Sequence, residues 1–250
     1  MKSIAVNFPS LKSKIIVEAA HVYTYESVSE HHVRGAQLGN MICQLFQNLG
    51  GQVEPWLFID NYNAHFEARE EVLDVPKYLH QIAQNGFIPQ KIIYETEMVT
   101  QAQVVLESLL KEGFAKKHHT GSIILTKGNV KLYEPSKDRY CCSLLDASLY
   151  LLKLSQAPYC VTILPQEYEK QQIATKIILK KLGIETDTIQ AIYYGAQTNH
   201  TSVSTENVFV EKSELSSTLN SISTTLQLFD IIHKLGGNIL PCPAPQEDSQ

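Results

Sequence analysis

The sequence predicts an α/β protein built on a doubly wound parallel sheet, and three observations predict it. Apolar runs of strand length alternate along the chain with longer amphipathic segments of helical period, the pattern of repeated strand–helix–strand units with right-handed crossovers. The 250 residues are 44% hydrophobic and 19% charged, a composition and length that can bury one large core. Turn chemistry follows the apolar runs, at the edge where open parallel sheets collect ligands.

The first strand is read at Lys14 to Ala20. A polar connection carrying the adjacent His31 and His32 follows, then a helix beginning near Arg34. That helix carries Leu38, Ile42, Leu45 and Leu49 at helical spacing and stops at Gly50-Gly51. A histidine-bearing loop that feeds a helix N-terminus offers free N–H groups and the positive end of a dipole to an anion. Two solvated surface histidines are the competing reading.

Val53 to Ile59 is the next strand, ending at Asp60-Asn61-Tyr62-Asn63. Asp60 and Asn61 are therefore candidates for ligand contact, although Asx side chains bonding their own backbone explain them equally well. Ala64 to Gly86 reads as a surface helix with Pro76 marking a break. A short strand at Lys91 to Tyr94 and a helix over Glu97 to Glu112 come next, then a hairpin over Ser122 to Tyr133 turning at Lys127-Gly128-Asn129. The hairpin interrupts the alternation, so residues 64–135 are read as a small inserted helix and hairpin region. Cys142 to Leu154 is a helix, Tyr159 to Leu164 a buried strand, Glu167 to Leu182 a helix closed by Gly183, and Ile189 to Tyr194 a strand. A polar loop at His200 to Glu206 and a Ser/Thr-rich helix over Lys212 to Leu235 complete one domain spanning 1–240. Residues 241–250 are expected to be a disordered tail.

The formal net charge is −5 and the lysines and arginines are dispersed, which gives little attraction for a long nucleic acid. The five cysteines, Cys43, Cys141, Cys142, Cys160 and Cys242, include no CxxC pair, so neither a zinc site nor a disulfide framework is expected. No apolar run is long enough to span a bilayer and the N-terminal stretch lacks a signal-type apolar core, so a cytoplasmic location is expected.

Several stretches, in order, resemble the catalytic domain of class I aminoacyl-tRNA synthetases, arginyl-tRNA synthetase most of all. That family has a strand ending in a glutamate-containing segment, an HxGH signature, an arginine two residues on, and a Gly-Asn or Gly-Asp in the ensuing helix. This chain offers Ile16-Val17-Glu18, His32 in the place of the second signature histidine, Arg34, and Gly39-Asn40. Leu145-Asp146-Ala147 with Tyr150 and Lys153 continues the likeness, as does Tyr159 to Gln166 with Gln171 and Leu182-Gly183. Gly195 and Ser202 to Val210 sit where the family's KMSKS-type loop occurs. The chain departs from the pattern at Ser29 (first signature histidine), His31 (signature glycine), Tyr23 (an asparagine) and Cys142 (a tyrosine). It also has Ser202 and Glu206 where the loop lysines stand.

The resemblance implies a Rossmann-like fold and ATP-dependent activation of arginine or a related cationic amino acid. The substrate carboxylate would attack the α-phosphate of ATP, release pyrophosphate and leave an aminoacyl-adenylate. It implies His32, Arg34, Ser29 and His31 at the phosphates, and Glu18, Tyr23, Asp146 and Gln166 around the amino acid. Around the nucleotide it implies Gly35, Gly39, Gly195, Ser202, Ser204 and Thr205, with ATP and Mg2+ as cofactors. Two carboxylates, Glu18 and Asp146, can meet the fork of N–H donors on a guanidinium. The implied partners are the amino acid, a small acceptor or carrier, tRNA, and a partner subunit, with no membrane. Two alternatives stay open: a non-catalytic paralogue that binds amino acid or nucleotide, and a transferase that takes aminoacyl-tRNA as donor, as cyclodipeptide synthases do.

Overall fold

The computed structural model describes residues 6–7, 13–62, 70–127, 129–194 and 238–239. The main sheet consists of β2 (Lys14–Glu18), β3 (Val22–Tyr23), β4 (Gln52–Asp60), β5 (Lys91–Tyr94), β10 (Tyr159–Pro165) and β11 (Ile189–Tyr194). Its order is β11-β10-β2-β4, with β3 and β5 both paired to β4, and every pairing is parallel. From β2 the chain builds outward to β4 and β5, then returns to lay β10 and β11 on the other side. The order therefore reverses between β2 and β10, and that switch point opens a crevice at the C-terminal strand ends.

Helices cover both faces. α1 (Glu30–Asn48) and α2 (Val75–Gln84) pack on one; α3 (Val99–Lys111), α4 (Cys142–Leu154) and α5 (Glu169–Lys181) pack on the other. The two-residue period of the strands sorts the side chains. Ile15, Val17, Leu57, Ile59, Val161 and Ile163 join the core under α1 and α2, while Ile16, Trp56, Phe58 and Cys160 join the core under α4 and α5. By the same parity Glu18, Asp60 and Thr162 face α4.

Three elements differ from the sequence expectation. The helix expected near Arg34 starts four residues earlier, at Glu30, with Ser29 as its N-cap, so His31 and His32 lie in its first turn and not in a loop. Pro76 does not break a helix. It stands in the first turn of α2 behind the N-cap Asp74, whose side chain accepts from the Lys77 N–H, and proline is tolerated there because its missing N–H has no helical partner. The helix expected from Glu97 is preceded by a 3-10 turn over Glu95–Met98, and α3 itself begins at Val99.

Within 64–135, α2 packs on the main core and β5 is a strand of the main sheet, because β4 still offers an edge beyond β2. What stands apart is a four-stranded antiparallel sheet, β6 (Ala115–Lys117), β7 (Ile123–Leu125), β8 (Lys131–Glu134) and β9 (Arg139–Tyr140), which contains the expected hairpin. β1 (Val6–Asn7) pairs antiparallel with β12 (Asn238–Ile239). The loop, helix and tail expected at 200–206, 212–235 and 241–250 lie outside the described residues.

Two backbone features shape the crevice. α1 crosses the sheet at Gly39, where a Cβ would sit 2.4 Å from the Cβ of Ala19 and 2.9 Å from the Phe87 ring. The chain between β2 and β3 bends at Ala20, whose φ of 59° is in the left-handed region that L-residues seldom occupy. The buried Tyr78 hydroxyl donates to the Ala20 carbonyl at 2.6 Å and holds this bend. The interruption leaves His21 at the C-terminal edge of the sheet before β3 resumes pairing with β4 at Val22 opposite Ile59.

Candidate functional site

The crevice holds an acid-rich buried cluster. Glu18 ends β2, Asp60 ends β4, Glu95 opens the turn after β5, and Asp146 lies in α4; all four are buried. Lys153, about two turns further along α4, is 1% exposed and forms an ion pair with Glu18. Its ammonium also lies 4.3 Å from the centroid of the Tyr150 ring, a favourable cation–π arrangement.

A directed hydrogen-bond chain runs from this pair to Asp146. Lys153 Nζ donates to Thr162 Oγ1 at 3.3 Å, and Thr162 and Tyr150 share a 2.8 Å bond. Tyr150 gives its only proton to Gln172 Oε1 at 2.8 Å, so Thr162 is the donor to Tyr150. Gln172 Nε2 then donates to Asp146 Oδ2 at 3.4 Å, where Gln171 Nε2 also donates at 2.8 Å, while the single hydroxyl proton of Thr175 goes to the Gln171 carbonyl at 2.9 Å. Burial still outweighs these donors and pushes the Asp146 carboxyl up to about 7, with Glu18 and Asp60 adding repulsion against the help of Gln171 and Lys153. Burial, the hydrogen bond to Asp60 and the nearby Asp60 and Asp146 charges hold Glu95 well above the usual carboxylate range.

Aromatic rings wall the cluster. His21 packs against Tyr23, Phe58 and Tyr168 with centroids 5.3, 5.3 and 5.6 Å away. Burial lowers the His21 pKa despite the raising influence of Asp60 and Glu18, so the ring is neutral. Tyr168 donates to the Tyr23 hydroxyl at 2.6 Å, and burial with this neighbour pushes the Tyr23 phenol well up.

The expected phosphate end is built differently. A backbone N–H can only donate, so the 3.0 Å bond from Ser29 N to His32 Nδ1 makes that nitrogen the acceptor and leaves the ring proton on Nε2. The Ser29 hydroxyl reaches the same Nδ1 at 2.9 Å. His32 thus takes the place that Glu or Gln holds in a capping box. Its Nε2 lies 3.7 Å from Glu26 Oε2, and burial with the adjacent histidines lowers its pKa to about 3. Arg34 donates to Glu30 at 3.2 Å. His31 packs on the Tyr194 ring with centroids 5.1 Å apart.

The remaining expected residues have these positions. A Cβ on Gly35 would lie 2.8 Å from the Tyr194 hydroxyl, so Gly35 and Gly39 both permit close helix packing. Gln166 is exposed in the turn after β10 and donates to Glu169 at 2.7 Å. Asn61 Oδ1 accepts the Thr96 N–H at 3.1 Å and so anchors the turn that presents Glu95. Gly195, Ser202, Ser204 and Thr205 lie outside the described residues. The structure therefore gathers Glu18, Tyr23 and Asp146, and sets Ser29, His32 and Arg34 together at the start of α1, while Gln166 turns away.

Sequence reasoning missed His21, Glu95 and the burial of Lys153. Strand parity was the available signal for Asp60 beside Glu18; nothing local marks Glu95. Among the described residues no group of three or more His, Cys, Asp or Glu side chains is arranged to hold a metal ion. No described helix is long and apolar enough to cross a membrane.

No family model and no curated protein matches the chain. Solved structures share its fold. Arginyl-tRNA synthetase from Thermus thermophilus superposes with a TM-score of 0.63 at 12% identity, over 93% of this chain and 58% of that one. A Campylobacter jejuni structure described provisionally as an arginyl-tRNA synthetase gives 0.60 at 12% identity, over 88% and 63%. A glutamate tRNA ligase from Elizabethkingia meningosepticum gives 0.52 at 9% identity, over 77% and 52%. The chain spans less than two thirds of the length of each. The likeness shows the class I synthetase type of Rossmann-like fold.

Proposed function

We propose that this protein binds a small cationic amino acid, arginine or a relative, at the switch-point crevice and activates its carboxylate with ATP. One observation carries the reading: four buried carboxyl groups, Glu18, Asp60, Glu95 and Asp146, converge there with aromatic walls and one described cation, Lys153. Such an excess of buried acid is destabilising when empty and is offset by a bound guanidinium or ammonium group. Aromatic faces add to the attraction.

The start of α1 fits a nucleotide carried with Mg2+. The first-turn N–H groups and the Nε2–H of His32 are donors suited to phosphate oxygens. Glu26 and Glu30 stand beside them, and Mg2+ is commonly held by one or two carboxylates together with substrate phosphates. ATP, when bound, supplies the phosphoryl group that the substrate carboxylate attacks. Within the chain, α1 orients the anions and the acidic cluster fixes the cationic end, so the work of the protein is alignment. An acceptor for the acyl group, a tRNA among others, belongs to the same proposal.

A non-catalytic binding role is the second reading, favoured by the fact that His32 Nδ1 is occupied in capping its own helix. ATP–pyrophosphate exchange across the twenty amino acids and several guanidino compounds separates the two. Exchange with a cationic amino acid supports activation; calorimetric binding of that compound without exchange supports the binding role. Neither exchange nor binding of any cation overturns both.

A further inference from the structure

His21 stands where strand pairing breaks off after β2 and resumes at β3. The Ala19 N–H still donates to the Trp56 carbonyl at 3.2 Å, and Val22 is again in register with Ile59. Between them the left-handed turn at Ala20 carries the chain over the C-terminal edge of the sheet. The imidazole is set among the rings of Tyr23, Phe58 and Tyr168, and its Nε2, out of solvent, has no hydrogen-bond partner. A phenylalanine would fill the same aromatic space without an unpaired nitrogen, so packing alone does not account for a histidine here. Buried polar atoms in folded proteins nearly always have partners, and one that lacks a partner beside a crevice points to a ligand that supplies it. A second observation lies two residues on. The Tyr23 hydroxyl accepts from Tyr168 at 2.6 Å, so that bond leaves the proton of Tyr23 unspent.

We infer that His21 is a specificity-determining contact for the ligand, with Nε2 accepting an N–H of the α-ammonium group of the bound amino acid. This rests on the cationic amino acid reading above and deepens it, because it fixes which end of the molecule lies at the turn between β2 and β3. A neutral imidazole has one N–H and one acceptor nitrogen, and Nε2 can be either. Charge decides between them. Glu18 and Asp60 are the acids whose charges reach the ring, and Lys153, the cation that reaches it, is ion-paired with Glu18. A carboxylate brought to Nε2 would be repelled by those acids, whereas an ammonium group is attracted by them. Nε2 is therefore the acceptor, and the ring proton belongs on Nδ1. The ligand carboxylate, on the same carbon as the ammonium, is an acceptor suited to the Tyr23 proton. The side-chain cation is left to the acidic cluster.

The test is calorimetric titration of the full chain with arginine, with lysine, and with the analogue of each that lacks the α-amino group. The native protein is expected to prefer each amino acid to its analogue. In His21→Phe, which keeps an aromatic ring among Tyr23, Phe58 and Tyr168, that preference is expected to fall roughly tenfold or more, with affinity for the analogues nearly unchanged. His21→Gln offers an amide oxygen to the same donor and is expected to restore part of the preference. The thermal midpoint of ligand-free His21→Phe is expected to equal or exceed the native one, because a buried nitrogen without a partner has been removed; a purely structural histidine would lower it. An undiminished preference in His21→Phe, or a native protein that binds the analogues as tightly as the amino acids, overturns the inference and leaves the cationic-ligand reading in place. A native protein that binds neither arginine nor lysine overturns the reading itself.

Discussion

The hydroxyl groups of Tyr168 and Tyr23 meet at 2.6 Å across 145 residues of sequence, with Tyr168 as donor. Tyr168 follows β10 and Tyr23 belongs to β3, so the bond ties the two sides of the switch-point crevice together beside the His21 ring. Tyr168→Phe removes the donor and keeps the ring contacts. Urea unfolding should show a loss of about 1 kcal/mol, and stability equal to that of the native protein would mean the bond contributes nothing.

Breaking the Lys153–Glu18 pair on one side should be severe. Lys153→Met leaves a buried carboxylate facing an apolar chain and is expected to cost about 3–5 kcal/mol. Adding Glu18→Gln to that variant should recover much of the loss, and chemical denaturation of the three variants as a double-mutant cycle measures the coupling.

Asp146 should make stability fall as pH rises. Its carboxyl is raised from 3.8 to about 7, so the folded state keeps a proton that the unfolded state has released. The stabilisation is therefore full below the unfolded value and is lost between about pH 4 and 7, with a slope of at most about 1.4 kcal/mol per pH unit. Asp146→Asn should remove this component, visible as a difference between the two stability–pH curves across that window.

His32 has the opposite sign. Its pKa is lowered from 6.5 to about 3, so the unfolded chain takes up the proton first and the stabilisation is lost as pH falls below about 6.5. Nitrogen-15 NMR of the imidazole should show a neutral ring protonated at Nε2 throughout pH 5 to 8. A ring that titrates near pH 6.5 would contradict the capping geometry. His32→Ala should cost about 1 kcal/mol through the lost cap.

Gly39→Ala places a methyl group 2.4 Å from the Ala19 Cβ, with the Phe87 ring also in the way. The helix must move off the sheet, at an expected cost of about 1–3 kcal/mol, read as a lower denaturation midpoint.

Much of the site is traceable to local pattern. Glu18, Asp60 and Thr162 occupy the polar ends or interior positions of apolar runs, and their two-residue spacing from Ile16, Phe58 and Cys160 assigns them to one face. Ser29 followed three residues on by His32 does not read as a capping box, because histidine is not the usual partner; only the geometry exposes the Nδ1 acceptor. His21 could not be found from pattern, since its position depends on the left-handed turn at Ala20, which no glycine or asparagine announces.

The sequence by itself determined the class of the fold, because hydrophobic periodicity is a local property: residues two apart or three to four apart decide which segment is strand and which is helix. It also determined that Glu18, Asp60 and Asp146 stand at strand ends or on a helix near them. Tertiary structure alone decided which of these carboxyls met a cation and which met each other. Lys153 reaches Glu18 because α4 lies against the sheet face under β2, and Glu95 reaches Asp60 because β5 pairs with β4 in one register. Strand order and register arise from long-range packing of whole elements, and so does the electrostatic character of the crevice.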